Sequence, residues 1–451
     1  MRRTALLTSL LVLACAPAAE AASRMVVRGA GFGHGIGMSQ YGAYGFAQKG
    51  FSHERILQHY YRGTSISDAP SRPVRVLLQA SDPFVRFRGA TRGPGGRALD
   101  PRKTYRVTRS GARLRIRGVG TFSAPLRVTG ARIRLLGGAI NGVRNGLYRR
   151  GFEFRPGSAG GVTAVNRLPI DSYVQGVVAG EMPSAWDLAA LRVQAVTART
   201  YALATRKRGG AFDLYPDTRS QVYRGVAGET SRSNRAIKDT AGKILTYDGV
   251  PAITYYFSTS GGETENVELS FLGSEPKPWL KSVEDPYDDI SPRHRWRMSF
   301  SPSRFGARLG SPGRFRSIKV LRRGNSPRIV RARVTGSRGS RILTGAQIRA
   351  RLGLYDSWAR FTKVSTSQVK RARSARTTTR GGKVARRELA GVFDPAPRSR
   401  SLLVERRVRG RWSFAGRVGT SRGGRYRASL AAGGIYRVRS GSVSGPAVRV
   451  R

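Results

Sequence analysis

One carboxylate in the middle of the chain, Glu181, has neighbours that suit acid–base chemistry. Met182 and Pro183 follow it directly, and Trp186 comes a few residues later. Burial beside apolar groups raises the pKa of a carboxyl group, and a general acid that works near neutral pH needs such a shift. Glu181 is therefore a candidate general acid. The alternative is a carboxylate that caps or salt-bridges an ordinary helix corner.

Two predicted helices position this carboxylate. Apolar residues recur with helical spacing over residues 169–179, and Gly180 is predicted to end that helix, so that Glu181 follows its C-terminus. Pro183 prevents simple continuation, and Ser184 is predicted to cap a second helix. Glu181 would then lie on a rigid corner between two helices.

The remaining patterns predict an α+β fold that is rich in strands. Apolar residues alternate with arginines over about 74–160, and turn residues separate the runs. Short helices are predicted over 38–48, after Ser52, and over 233–240. Residues 244–247 and 253–257 predict a hairpin around Asp248-Gly249. Strands return over 315–334.

The end of the chain predicts a second unit. A basic stretch with few apolar residues, 366–387, is typical of a linker. The final segment, 388–451, alternates apolar and polar residues with Gly, Pro and Ser between the runs, which predicts a small all-β sandwich.

The first 21 residues have the pattern of a secretory signal. Arg2 and Arg3 precede an apolar stretch, and cleavage is predicted after Ala21. Cys15 is the only cysteine, so the mature chain would contain none. A lipoprotein anchor at Cys15 is the alternative, although Leu13 fits a lipobox poorly. No later stretch has the length of apolar residues that a transmembrane helix needs. The sequence predicts a secreted or cell-wall-associated protein.

The charge is strongly and unevenly positive. The net charge is +56, and 71 of the basic residues are arginine. Such a charge predicts salt-sensitive binding to polyanions, and the predicted export favours anionic wall polymers over nucleic acid. Coding bias of a GC-rich genome is the alternative cause. Residues 213–289 are net −5, whereas residues 365–451 are net +19, so the C-terminal segment is predicted to bind wall polyanions.

Four runs together resemble one family, that of the stage II sporulation protein D and the LytB-type amidase enhancer. The runs are Gly-His-Gly-Ile-Gly-Met-Ser-Gln-Tyr-Gly at 33–42, Gly-Glu-Met-Pro at 180–183 with Gln-Ala-Val-Thr-Ala-Arg-Thr-Tyr-Ala at 194–202, Ser-Gln-Val-Tyr at 220–223, and Phe-Ser-Thr-Ser-Gly-Gly-Glu-Thr-Glu at 257–265. The resemblance covers roughly residues 25–363 and implies a peptidoglycan-remodelling domain over 22–365, with the β-rich stretch at 74–160 as an insert.

The resemblance also implies a reaction. Relatives of the sporulation protein are lytic transglycosylases that act on glycan strands without stem peptides, and their catalytic acid matches Glu181. One carboxylate suffices for this reaction, whereas ordinary glycosidases use two. The alternative function is a peptidoglycan-binding enhancer of a cell-wall amidase. A third hypothesis, from charge alone, is a structural polyanion-binding protein.

The sequence departs from the family in two ways. The Gly-His-Gly run usually lies near the end of the domain, and here it opens the chain, which indicates a permuted order that requires the ends of the domain to lie close together. Some relatives carry zinc ligands before the Gln-x-Tyr run. The matching positions are Tyr215, Arg219 and Ser220, which predict no zinc and no other cofactor.

Further residues of the four runs are predicted to contact glycan. His34 is expected to line the groove or contact Glu181, with a loop histidine bonded to a carbonyl as the alternative. The hydroxyls of the 257–265 run suit sugar hydroxyls, but a tight turn with local hydrogen bonds explains them equally well. The predicted substrate-binding residues are His34, Ser39, Gln40, Gln221, Tyr223, Ser258, Ser260 and Thr264.

Overall fold

The computed structural model describes residues 22–369 and 387–450. The predicted signal at 1–21, with Cys15, lies outside these ranges. Most of the linker predicted over 366–387 also lies outside them. Its first four residues belong to a strand that ends at Val369, and its last residue begins the next strand at Arg387.

Strands make up most of the described chain. The first stretch contains β1 (Ala22–Ala30), β2 (Met38–Ser39), β3 (Ser65–Asp68), β4 (Val74–Asp82), β5 (Phe84–Arg88), β6 (Thr104–Ser110), β7 (Arg113–Ile116), β8 (Gly120–Phe122), β9 (Leu126–Leu136), β10 (Leu147–Pro156) and β11 (Val162–Leu168). The second contains β12 (Lys243–Tyr247), β13 (Val250–Pro251), β14 (Tyr256–Phe257), β15 (Arg295–Phe300), β16 (Phe315–Arg323), β17 (Ile329–Gly336), β18 (Gly339–Thr344) and β19 (Ala359–Val369). The third contains β20 (Arg387–Asp394), β21 (Ser401–Val408), β22 (Arg411–Gly419), β23 (Arg425–Leu430), β24 (Gly434–Ser440), β25 (Val443–Ser444) and β26 (Val448–Val450).

The α-helices of the described chain are mostly short. They are α1 (Gln40–Gln48), α2 (His53–Tyr60), α3 (Ile170–Gln175), α4 (Val178–Glu181), α5 (Leu188–Thr205), α6 (Ser231–Asp239), α7 (Val267–Ser270), α8 (Pro302–Leu309) and α9 (Gly345–Leu352). The predicted α+β class is confirmed, since the chain is rich in strands, has few short helices, and forms only strands after Arg387.

The predicted strands over 74–160 are also confirmed. Strands β4 to β11 form an antiparallel eight-stranded sheet in the order β4-β11-β10-β9-β5-β6-β7-β8. In β7, Leu114 and Ile116 are buried whereas Arg113 and Arg115 are exposed. The period-two pattern of the sequence therefore corresponds to one packed and one solvated face.

Helix α5 forms the centre of the main hydrophobic core. It packs against α1, α2, α6 and β12 and is buried on most sides. Arg199 of α5 is fully buried, and its guanidinium donates to Asp171 Oδ1 and to the Lys243 carbonyl, both at 2.7 Å. These bonds join α5 to α3 and β12, because a buried cation must be paired.

The two ends of the predicted 22–365 segment are neighbouring strands. Strand β1 pairs with β19 in antiparallel fashion, so that Ala22 faces Thr366. The closeness of the ends that a permuted order requires is therefore present. Strand β15 pairs with the other edge of β1, and the whole sheet has the order β15-β1-β19-β20-β23.

The C-terminal strands form two layers. Strands β20 and β23 continue the sheet of β1 and β19, while β21, β22, β24, β25 and β26 form the second layer. Val404 and Val438 from the second layer pack with Val26 and Val364 from the first. The all-β character predicted for 388–451 is confirmed, but one layer is shared with the preceding segment.

The helix boundaries around Glu181 differ from the prediction. The helix predicted over 169–179 is two short helices, α3 and α4, with Gly176 as the residue after α3. Glu181 is the last residue of α4 and does not follow a helix that ends at Gly180. The cap of α5 is Asp187, whose carboxylate accepts from a backbone N–H at 2.8 Å, and not Ser184.

The hairpin predicted around Asp248 is only partly correct. Strand β12 turns into β13, which ends at Pro251. One further backbone bond, from Ala252 N to the Leu245 carbonyl at 3.0 Å, follows Pro251. Tyr256 and Phe257 instead pair in parallel with Met38 and Ser39 of β2. This pairing brings the 33–42 run beside the 257–265 run.

Within residues 22–369 and 387–450 we find no helix that combines the length and the apolar character needed to cross a membrane.

The packing of α1 gives a first prediction. A Cβ on Gly42 would lie 2.1 Å from Asp285 Oδ1 and 2.2 Å from the Tyr60 hydroxyl, both buried. We expect Gly42→Ala to lower the free energy of unfolding by roughly 1–3 kcal/mol through overpacking, measured by urea denaturation. The control is Gly138→Ala, where a Cβ meets nothing within 4 Å. Equal stability of both variants would contradict this packing.

Candidate functional site

Glu181 lies where three distant segments of the chain meet. Its backbone carbonyl accepts from Gln40 Nε2 at 2.9 Å, and the same amide donates to Gln194 Oε1 at 3.1 Å. Gln40 opens α1, directly after the Ser39 cap. The Gly-His-Gly run is thereby connected to the acid and to α5 through a single amide group.

The Glu181 carboxyl group is half-buried and has no charged partner. Its Oε1 accepts from the backbone N–H of Val222 at 2.8 Å. Burial raises the pKa of Glu181, and the hydrogen bonds from Val222 and from the Tyr256 hydroxyl oppose this shift without cancelling it. Within the described residues no ion pair reaches Glu181. This environment favours a proton on the carboxyl at higher pH than usual.

A chain of polar side chains orients Tyr256. Gln221 is 2% exposed, and its Nε2 donates to the Tyr256 hydroxyl at 3.0 Å. The Tyr173 hydroxyl donates to Gln221 Oε1 at 3.2 Å. Burial and the nearby Glu181 charge raise the pKa of Tyr256. The phenol therefore stays protonated and can donate to the carboxylate.

Partly exposed aromatic rings lie next to the acid. Trp186 stacks on Tyr44 with ring centroids 4.5 Å apart and an angle of 7° between the planes. Tyr41 meets the same indole edge-on at 4.7 Å. Tyr41 follows Gln40, the residue that bonds Glu181. Flat apolar rings beside an acid suit a sugar ring, whose C–H faces pack on aromatic groups.

His34 does not contact Glu181 in the part of the chain that the structure describes. Its Nδ1 accepts from Ile36 N at 3.1 Å, so its Nε2 carries the proton and donates to the Tyr256 carbonyl at 3.1 Å. Its ring packs against Tyr255 and Phe257. Burial lowers the pKa of His34 to about 3. The structure therefore fits the alternative, in which His34 is a loop histidine bonded to a backbone carbonyl.

Several other predicted contact residues are buried supports. Ser39 and Ser260 are 0% exposed; Ser39 Oγ accepts from Gly42 N and from Ser260 N. Thr264, also buried, exchanges hydrogen bonds with Val283. The Tyr223 hydroxyl donates to Asn166 at 2.6 Å inside the core. These four side chains are used by the protein itself, which corrects their predicted contact with glycan.

Gln40, Gln221 and Ser258 are placed differently from those four. Gln40 is half-exposed and touches Glu181 directly. Gln221 is buried and acts through Tyr256. Ser258 is half-exposed, its hydroxyl lies 3.2 Å from that of Thr259, and its carbonyl accepts from Tyr41 N at 3.0 Å. Gln40 and Ser258 thus lie beside Tyr41, whereas Gln221 lies behind Tyr256.

A buried acid pair supports the loops behind α1. The Tyr60 hydroxyl donates to Asp285 Oδ1 at 2.9 Å, while Oδ2 of Asp285 has no hydrogen-bond partner among the described residues. Asp288 accepts from Ser260 Oγ at 2.9 Å and lies 2.6 Å from His294 Nδ1. Burial and the charge of Asp288 raise the pKa of Asp285 to about 7.

The positions that match a zinc site of relatives form an ordinary turn. Ser220 Oγ accepts from Tyr215 N at 3.1 Å. The Arg219 guanidinium stacks over the Tyr215 ring and pairs with Asp217. Across the described ranges, no three His, Cys, Asp or Glu side chains are grouped closely enough to hold a metal ion.

Sequence reasoning missed two groups that contact the Glu181 carboxyl. The Val222 N–H is a backbone donor, and a sequence pattern does not show where such a donor points. Tyr256 is one of three consecutive aromatic residues, and its residue type does not distinguish it from Tyr255 and Phe257. Its place between Tyr255 and Phe257 on an alternating strand was the available signal, because alternation sends its side chain to the other face.

The middle of the chain is similar to a known protein family. Residues 158–247 match the family model of the stage II sporulation protein, SpoIID. This stretch contains Glu181, Gln221 and Tyr223. The resemblance predicted from the four runs is confirmed.

Curated relatives extend the similarity. The chain is 34% identical over 210 residues to stage II sporulation protein D of Bacillus subtilis, covering 42% of this chain and 60% of that protein. A protein of the same name from Bacillus amyloliquefaciens is 34% identical over 212 residues, covering 42% and 59%. The amidase enhancer of Bacillus subtilis is 36% identical over 129 residues, covering 28% and 17%. The chain thus spans about 60% of the length of the sporulation proteins.

The Asp285 environment gives a second prediction. The folded pKa of about 7 exceeds the ordinary value of 3.8, so the folded state binds this proton more tightly than the unfolded state. Because of Asp285, the free energy of unfolding therefore falls, by on the order of a few kcal/mol, as pH rises from 3.8 to about 7. We expect Asp285→Asn to flatten the dependence of the unfolding free energy on pH in that window, measured by urea denaturation.

The control for Asp285→Asn is Asp289→Asn, which removes the same charge from an exposed position. Its stability should follow that of the unmodified protein across the same pH range. If both variants gave the same profile as the unmodified protein, Asp285 would not carry the pH dependence.

Proposed function

We propose that this protein is an exported lytic transglycosylase that cleaves the glycan backbone of peptidoglycan, with Glu181 as general acid and base. The observation that supports this most is the half-buried Glu181 carboxyl group, whose pKa is raised and which is bonded by Val222 and Tyr256, with no counter-charge among the residues that the structure describes. The similarity to the amidase enhancer of Bacillus subtilis and to the sporulation proteins supports a role related to the cell wall.

The first step is protonation of the leaving group. Protonated Glu181 donates its proton to the glycosidic oxygen between N-acetylmuramic acid and N-acetylglucosamine. The C1–O bond breaks, the glucosamine unit leaves with that proton, and positive charge develops at C1 of the muramic acid. The Glu181 carboxylate that remains is stabilised by the Val222 N–H and the Tyr256 hydroxyl.

The second step closes a ring. The Glu181 carboxylate takes the proton from the O6 hydroxyl of the muramic acid, and O6 bonds to C1 to form the 1,6-anhydro product. The O6 proton restores the acid form of the carboxyl group, while the proton given in the first step stays on the departing glucosamine unit, so no water enters and no second carboxylate is needed. Glycosidases that use water require a pair of carboxyl groups across the bond, and no second one contacts Glu181 in the described chain.

Binding of glycan is assigned to the aromatic surface. Tyr41, Tyr44 and Trp186 present partly exposed rings beside the acid. A half-buried acid at the edge of a stacking surface is suited to a polymer that is cut within its length. Gln40 and Ser258 lie along the same edge and offer polar groups to sugar hydroxyls.

The second candidate function is a peptidoglycan-binding enhancer of a cell-wall amidase, which the named amidase enhancer relative favours. In that case the aromatic surface grips glycan without cleaving it, and activity appears only with the partner amidase. The two functions differ in the role of Glu181, because binding alone does not need its proton.

The direct test is Glu181→Gln, which keeps the shape of the side chain and removes its acid. We expect the formation of 1,6-anhydro ends on glycan strands without stem peptides to fall by about 10²-fold or more, measured by mass spectrometry. Intact sacculi serve as the second substrate. The matched control is Glu275→Gln, the same change at an exposed position, which should keep full activity.

The enhancer function predicts other results. The unmodified protein would form no anhydro ends on either substrate, and Glu181→Gln would still sediment with sacculi and stimulate an amidase. That combination would overturn the transglycosylase proposal.

The hydroxyl of Tyr256 gives a further prediction. Removing a donor to the carboxylate raises the pKa of the acid, so Tyr256→Phe should shift the alkaline limb of the kcat/KM profile to higher pH. The control is Tyr255→Phe, whose ring packs on His34 and not on the acid. The pH profile of glycan cleavage is the measurement, and an unchanged limb in Tyr256→Phe would exclude this hydrogen bond.

A further inference from the structure

Three arginines lie in lateral register on one face of the sheet β15-β1-β19. Arg28 of β1 directly faces Arg297 of β15 on one side and Arg360 of β19 on the other. All three are exposed. Neighbouring strands are about 4.8 Å apart, and like charges directly opposite each other destabilise a sheet. The row therefore costs stability that a bound anion would restore.

No carboxylate in the described chain offsets this row. Arg28 and Arg360 make no ion pair and no side-chain hydrogen bond, and Arg297 donates only to the Ser442 carbonyl. Some close arginines of this protein share a carboxylate; Arg437 and Arg439, for example, both pair with Glu405. Arg86 of β5 and Arg106 of β6 also face each other, as a pair across two strands. A row across three strands is a stronger concentration of unpaired charge.

The row borders an open cavity of about 740 Å³. A fourth arginine, Arg295, lies two residues before Arg297 on the same face, and Trp358 lies two residues before Arg360. Both side chains line the cavity, whose lining contains no acidic residue. Cavities of this volume are typical of ligand sites in proteins. Ser442 is the one lining residue from the C-terminal strands.

We propose that this arginine row is a binding site for a linear phosphodiester polymer of the cell wall. Guanidinium groups bind phosphate oxygens in a two-pronged fashion that ammonium groups do not match. One cation per strand, at about 4.8 Å spacing, fits a polymer with a charge on every unit. Glycan without stem peptides carries a carboxylate only on every second sugar, so it fits the row less well.

The site is independent of the proposed chemistry at Glu181. It also differs from the wall-binding role predicted for residues 388–451, because its arginines belong to β1, β15 and β19. A polymer held here would keep the enzyme on the wall while the glycan is cut elsewhere on the molecule. Loss of one function should therefore leave the other intact.

The experiment uses the double variant Arg28→Gln/Arg360→Gln of the whole protein. Binding of poly(glycerol phosphate) is measured by calorimetric titration at several salt concentrations. We expect a several-fold rise in Kd at low salt, and a decrease of about 1 to 2 in the slope of log K against log salt, because two phosphate contacts are lost. Glu181→Gln should bind the polymer normally.

Two matched variants separate the row from charge in general. Arg102→Gln/Arg115→Gln removes the same charge from exposed positions outside the cavity, and it should bind nearly as well as the unmodified protein. Arg28→Lys/Arg360→Lys keeps the charge but loses the two-pronged geometry, and should bind with intermediate affinity. Equal weakening by both Gln double variants, or by neither, would overturn the proposal.

Alternative sources of phosphate are tested in the same assay. Single-stranded DNA and vesicles of anionic phospholipid present the same chemical group on other scaffolds. If either bound more tightly than poly(glycerol phosphate) with the same dependence on Arg28 and Arg360, the wall polymer would be the wrong ligand. If DNA and the vesicles both bind more weakly, and Arg28→Gln/Arg360→Gln does not change their binding, the wall polymer is supported as the ligand.

Discussion

The site depends on one electrostatic constraint, the burial of the Glu181 carboxyl group with no counter-charge from residues 22–369 or 387–450. In a protein with 82 basic residues and 26 acidic ones, most buried carboxylates bond an arginine, as Glu153 and Asp356 do. Glu181 instead has two neutral donors, Val222 and Tyr256. An arginine there would lower the pKa of the acid, whereas neutral donors leave it raised.

The rest of the fold maintains this arrangement. Helix α5 holds Gln194 against Gln40, and Gln40 holds the carbonyl of Glu181. Behind α1, the Ser39 hydroxyl accepts from Ser260 N and so joins the 33–42 run to the 257–265 run, and Asp288 accepts from Ser260 and Gly261 of the latter run. At Gly42, α1 lies directly against Asp285 and Tyr60, with no space for a larger residue. The short runs, far apart along the sequence, therefore meet in a network in which distant loops share buried polar groups.

Part of the fold and part of the candidate site could be predicted from the sequence. Alternating residues predicted the strands of 74–160, and helical spacing and capping signals predicted α1, α2, α5 and α6 within a few residues. The role of Glu181 as the acid stays a prediction from its apolar neighbours, and the structure adds the burial that raises its pKa. The positions of His34 and Tyr223 were not, because a residue type and a nearby glycine do not reveal which side of a strand a loop will pack on. Backbone donors such as Val222 leave no mark in the sequence.

The most direct test of this account is a titration of the Glu181 carboxyl by ¹³C NMR. The protein would be labelled at the glutamate side-chain carboxyl carbons, and the signal would be assigned by its loss in Glu181→Gln. The account predicts that Glu181 titrates above the ordinary glutamate value of 4.5 and above the exposed glutamates of the same chain. A titration at or below that value would contradict the claim that burial prepares Glu181 to act as an acid.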